Sequence, residues 1–154
     1  MFIHFSGMRN LYHAEIVREV NTRINSLLPT AENEMGEMSV TEMLAHCSMV
    51  MEMATGRAPL TGGRWRRRLF GWMLKGWFLK ASPSGWCNSG LMARTHYNFD
   101  KERERLIGLI TDFTKADRNK PMKYSHDLLG RVSAEDWGLL MYKHLDHHLK
   151  QFNA

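Results

Sequence analysis

The stretch SAEDWGLLMYKHLDHHLKQF, Ser133 to Phe152, decides how the rest of the chain is read. Stepped at roughly 100° per residue, Trp137, Leu140, Met141, His144, His148 and Phe152 share one side of a helix, all within about 80° of His144. Gln151 falls inside the same arc and His147 on its border, while Asp146 and Lys150 face away. Two imidazoles therefore stand at the centre of an apolar stripe. Ser133 is expected as the N-cap, with Asp136 three residues on as its carboxylate partner.

Three further helices are predicted outward from this one. Ser39 and Glu42 form a capping-box pair ahead of VTEMLAHCSMVMEMA, a run apolar nearly all round and so expected to be buried on most sides. Leu11 to Leu28 reads as a first helix with His13, Val17, Val20, Ile24, Leu27 and Leu28 inward, stopped by Pro29. Asp100 is the expected N-cap of a helix whose stripe is Leu106, Leu109, Ile110 and Phe113. No strand-like alternation and no internal repeat is visible. The pattern predicts an all-α fold, a four-helix bundle with a long crossover insert between helices 2 and 3, in a single domain over 1–154.

Composition bounds the function. A chain of 154 residues, 44% apolar and 24% charged, can bury a core and is neither disordered nor of low complexity. It has no run of about 20 apolar residues, and MFIHFSGMRN lacks the basic and apolar regions of a secretory leader. Two cysteines, Cys47 and Cys87, make no disulfide framework, so a reducing cytoplasm is expected. Charge is uneven. From Met53 to Phe99 there are eight bases and no acid, against 13 bases and 16 acids elsewhere. Four of the five tryptophans lie in the same stretch, which marks a basic-aromatic insert at about 57–98.

The histidines carry the chemistry. His144 and His148, one turn apart, can reach one metal ion, and a third ligand must come from another element. The second helix supplies His46, which projects with Met43, Met49, Val50 and Met53. Three imidazoles leave a coordination position open for water or substrate, as catalytic ions require. Otherwise each would need its own hydrogen-bond partners inside an apolar bundle, at about 1–3 kcal/mol for each group left unsatisfied. Glu42, one turn before His46, and Gln151 are candidates to orient an imidazole. Trp137, Met141 and His147 are candidate pocket residues. Cys47, about 100° from His46, reads as a small buried apolar residue.

MLAHC on the second helix and SHDLLGRVSAEDWGLLMYKHLDHHLKQF at the end together resemble the DinB-like superfamily of metal-binding four-helix bundles. The nearest likeness is to its branch known only as a domain of unknown function. There the last helix carries W-G-x-L-x-Y-K-H-L-D-H-H-L-x-Q-F, matched here from Trp137 to Phe152. The preceding loop departs from that branch: His126 is followed by Asp127, Leu128 and Leu129 where proline and aromatics are usual. His126 is thus carried only as a candidate near the bundle mouth. The resemblance spans about Met8 to Phe152 and implies a site of His46, His144 and His148 holding zinc or nickel. It also implies a low-molecular-weight thiol as cosubstrate, since characterised relatives are thiol-dependent transferases and isomerases.

The expected function is that of a metal-dependent enzyme acting on a small molecule through an activated thiol or water. The alternative is a non-catalytic module that lays Arg66, Arg67 and Arg68 on the phosphates of nucleic acid or of an anionic membrane. The favoured reading of the insert is a lid on the bundle, aromatics inward and arginines solvated. A structural ion would want a fourth protein ligand. Methionine-rich faces at Met43, Met49, Met51 and Met53 suit a homodimer.

Overall fold

The computed structural model describes residues 9–55, 57, 96–116 and 134–154. Among these residues are four α-helices and no strand: α1 (Ala14–Ser26), α2 (Val40–Ala54), α3 (Phe99–Lys115) and α4 (Ala134–Lys150). The segments 58–95 and 117–133 contain most of the basic-aromatic insert with Arg66, Arg67 and Arg68, as well as His126 and Ser133. They lie outside the described residues.

Specific pairs fix the topology. Glu52 near the end of α2 meets Arg105 of α3, and Arg57 just beyond α2 meets Asp112 further along α3, so these two helices run parallel. The end of α2 therefore lies beside the middle of α3, away from its start. Asn10 ahead of α1 bonds Glu135, and Arg23 late in α1 pairs with Asp146, so α1 and α4 are parallel too. Tyr12 stacks on Phe113 at 4.9 Å, which sets the start of α1 against the end of α3. The Glu34 N–H, shortly before α2, donates to the Gln151 carbonyl just past α4, so α2 and α4 are antiparallel. The directions are up, down, down, up. α2 packs most extensively on α3, with α4 on its other side, and α1 touches both α3 and α4.

Each boundary has a local cause. Ser39 and Glu42 close the expected capping box: the Ser39 N–H and hydroxyl both donate to Glu42 Oε2 at 2.8 Å, and the Glu42 N–H donates to Ser39 Oγ at 3.3 Å. α3 corrects one expectation, because Asn98 caps it, its side chain accepting from the Lys101 N–H at 3.1 Å, and Asp100 lies inside the first turn. Both residue types cap well, so sequence alone did not separate them.

α1 corrects another. It starts at Ala14, its inward residues are Ile16, Val20 and Ile24, and His13 is exposed, with Leu28 62% exposed beyond the helix end. The helix is shorter than its apolar pattern, and Leu11 and Tyr12 are buried from a turn.

The α3 stripe of Leu106, Leu109, Ile110 and Phe113 is buried as expected. α2 and α4, which carry the three histidines of interest, are buried over much more of their circumference than α1 or α3. Leu44, Met51, Ile110, Met141 and Leu145 are among the largest fully buried side chains of this core. Each such side chain removed from water stabilises the fold by about 1.5–3 kcal/mol.

The segment before α1 is fastened to α4 by polar contacts that periodicity does not show. The Leu11 N–H donates to the Gly138 carbonyl at 3.1 Å. Asn10, only 3% exposed, donates to the Glu135 carbonyl at 2.8 Å and to Glu135 Oε1 at 3.1 Å, and accepts from the Tyr12 N–H at 3.0 Å. Gly138 leaves the room for this approach. No helix among the described residues is long and apolar enough to cross a membrane.

Candidate metal centre

Antiparallel packing of α2 on α4 brings His46 against His144 and His148. The ring centroids are 5.1 Å apart for His46 and His144, 4.8 Å for His46 and His148, and 4.7 Å for His144 and His148. One ring nitrogen from each residue lies within 4.8 Å of the other two, and this is the group of three that can hold a metal ion among the described residues. Ligands around a tetrahedral ion at about 2.0–2.1 Å are about 3.3 Å apart, so modest side-chain rotations would close the set.

The donor chemistry fits such an ion. His144 is 2% exposed, and neither of its ring nitrogens has a hydrogen-bond partner. A buried histidine kept for packing is normally bonded at one nitrogen at least. His148 is equally buried, with Nδ1 2.8 Å from Gln151 Oε1. His46 is intermediate in exposure, less covered than the other two.

Burial also sets the protonation state. It lowers the His46 imidazole to about 4. His144 and His148 are pushed well below the ordinary histidine value, by burial first and then by the neighbouring imidazoles. All three are therefore neutral at pH 7, the form in which imidazole ligates metals.

Since the unfolded chain takes up these protons near pH 6.5, the unfolded state binds more protons than the folded one below that value. Stability of the metal-free protein should be level above about pH 6.5 and decline as pH falls towards about 4. The slope should reach about 1.4 kcal/mol per pH unit for each imidazole involved. Urea midpoints at pH 7.5, 6 and 5 check this; a midpoint that holds or rises on acidification contradicts it.

The remaining candidates fall in different places. The Glu42 carboxylate is occupied in its capping box and is not in the histidine group. Trp137 and Met141 are core residues, at 3% and 0% exposure. His147 is half-buried, its ring edge-on to His148 at 5.2 Å, and burial lowers its pKa. Gln151 does touch a histidine of the group. Cys47 is buried, its sulfur 3.7 Å from the Met43 sulfur. Asn10 and Gly138 went unnoticed in the sequence, where the only signal was a glycine inside an apolar helical run.

Three convergent imidazoles between facing helices of a bundle form a group that could hold a metal ion. The chain itself belongs to the family described as a protein of unknown function, DUF1569, which matches residues 8–154. No curated protein and no solved structure matches it.

Proposed function

We propose that the protein is a metal-dependent enzyme of the DinB-like type, with His46, His144 and His148 as the ligands of a divalent ion, zinc or nickel as the resemblance implies. The observation that carries this reading is His144, whose two buried nitrogens have no hydrogen-bond partner while two other imidazoles stand beside it. Such an ion would supply Lewis acidity, making a bound water or low-molecular-weight thiol a nucleophile near neutral pH.

The residues of the chain supply the rest. Neutral imidazoles offer ligand nitrogens without prior proton loss, the surrounding apolar core excludes water, and His46, the least covered of the three, is where a small-molecule substrate would approach. Transfer, isomerisation or hydrolysis are the reaction types this arrangement suits. The cytoplasm is the compartment this reading expects, from the cysteine usage. The competing reading, a binding module for nucleic acid or anionic membrane, rests on the acid-free basic stretch from Met53 to Phe99.

The test is elemental analysis of untagged protein beside a His144→Ala, His148→Ala double variant. About one zinc, nickel or iron per chain in the parent, and none in the variant, is expected. A parent that stays empty after incubation with these metals refutes the reading and turns attention to the insert.

A further inference from the structure

Gln151 stands just past α4, where the helix ends, and its place is fixed from several sides. Its carbonyl accepts from the Glu34 N–H at 2.9 Å, and its own N–H donates to the His148 carbonyl at 3.2 Å. Asn153, at a φ of 55°, turns the chain out of the helix and donates its side-chain amide to Glu34 Oε1. With the backbone held in this way, the side-chain amide oxygen comes 2.8 Å from His148 Nδ1. An amide oxygen only accepts, so this bond requires a proton on Nδ1.

We infer that Gln151 is a positioning residue: it holds His148 as the Nδ1–H tautomer and leaves the buried Nε2 as the nitrogen turned to His46 and His144. A neutral imidazole has one donor and one acceptor nitrogen, and the hydrogen bond at one fixes the role of the other. A metal ligand held like this arrives with its lone pair already in place and its ring orientation set. Glutamine achieves this with a neutral acceptor and adds no charge to a buried cluster, where an unpaired ion is expensive. His144 has no comparable bond. The three ligands are then unequal: His148 is fixed by Gln151, His144 is held by packing alone, and His46 is the least covered.

The metal-binding part of this inference rests on the function proposed above, whereas the tautomer does not, so two measurements separate them. In metal-free protein with nitrogen-15-labelled histidine at pH 7.5, His148 should show a protonated Nδ1 and a bare Nε2. Gln151→Leu should mix the two tautomers. Zinc affinity, read by competition with a chromophoric chelator, should fall about 10–100-fold in Gln151→Leu and stay within a few-fold of the parent in Gln151→Glu. Gln151→Asn, one methylene short, should not rescue. A proton on Nε2 in the parent overturns the assignment. So does a Gln151→Leu variant that binds zinc as tightly as the parent. A parent with Nδ1–H at His148 that takes up no zinc upholds the tautomer and refutes the metal reading alone.

Discussion

Replacing His144 with leucine should make the metal-free protein more stable. The imidazole has two buried nitrogens without hydrogen bonds, and a buried polar group left unsatisfied costs about 1–3 kcal/mol. Leucine is close in size and carries no such group, so most of that penalty should be recovered. At about 2–4 °C per kcal/mol for a chain of this length, the melting temperature should rise by several degrees.

Metal should reverse the ranking. An ion that binds only the folded state adds about 4 kcal/mol at a concentration 1,000 times its Kd. The parent should therefore gain roughly 8–16 °C with saturating zinc or nickel, while His144→Leu gains little. Thermal scans of both proteins, with chelator and with metal, contain the whole test. A leucine variant less stable than the parent in chelator would mean that His144 serves packing, and a metal response undiminished in the variant would remove it from the ligand set.

Gly138→Ala is expected to be severely destabilising even though alanine is the better helix former by about 1 kcal/mol. A Cβ at this position would come 2.0 Å from Asn10 Oδ1 and 2.6 Å from Tyr12 Cδ2. Asn10 cannot swing aside cheaply, because its amide is tied to Glu135 and to the Tyr12 N–H. Relieving the clash breaks buried hydrogen bonds, at about 1–3 kcal/mol, and displaces packed side chains at a similar cost. The loss outweighs the propensity gain, and the melting temperature should fall by roughly 5–15 °C. Gly108→Ala is the internal control: α3 offers open space there, with nothing within 4 Å of the added Cβ, so only the propensity gain remains. Circular dichroism melts of the two variants should move in opposite directions. Equal or higher stability of Gly138→Ala would mean that the segment before α1 does not dock on α4 as described.

The helices were legible in the sequence because burial on one side imposes a 3.6-residue period, which α3 keeps cleanly, while α4 is buried beyond its expected stripe at Leu139, Tyr142, Leu145 and Leu149 as well. The histidine group was legible for the same reason, since His46, His144 and His148 each lie on an inward stripe, and α2 and α4 are packed together. Periodicity fails where the chain is not periodic. His13 sits at the helix start, where the extended backbone of the cap turns its side chain outward, and the stripe proper begins at Ile16.

The choice of Asn98 over Asp100 depended on which side chain reaches the free N–H groups, which two good caps two residues apart do not reveal. The Gly138 notch is set by a segment far away in the chain, whereas the Gln151 contact with His148 spans three residues and lies on the arc read from the sequence. Asn10 is 128 positions from Gly138 and Glu34 is 117 from Gln151. A glycine in isolation carries no sign of such a neighbour, and Gln151 carries none of the Glu34 segment that holds its backbone.

The direction of the four helices bears on when the histidine group comes into being during folding. His46 and His144 are 98 positions apart, and closing a loop of that length costs on the order of 4 kcal/mol in chain entropy. Two of the three imidazoles reside on α4, which follows the other helices in the chain and is seated by contacts with α1, α2 and the Glu34 segment. A chain still lacking α4 holds a single imidazole of the set. On the proposed reading, capture of an ion would be a late event that follows assembly instead of nucleating it, and a loaded centre would certify a finished fold.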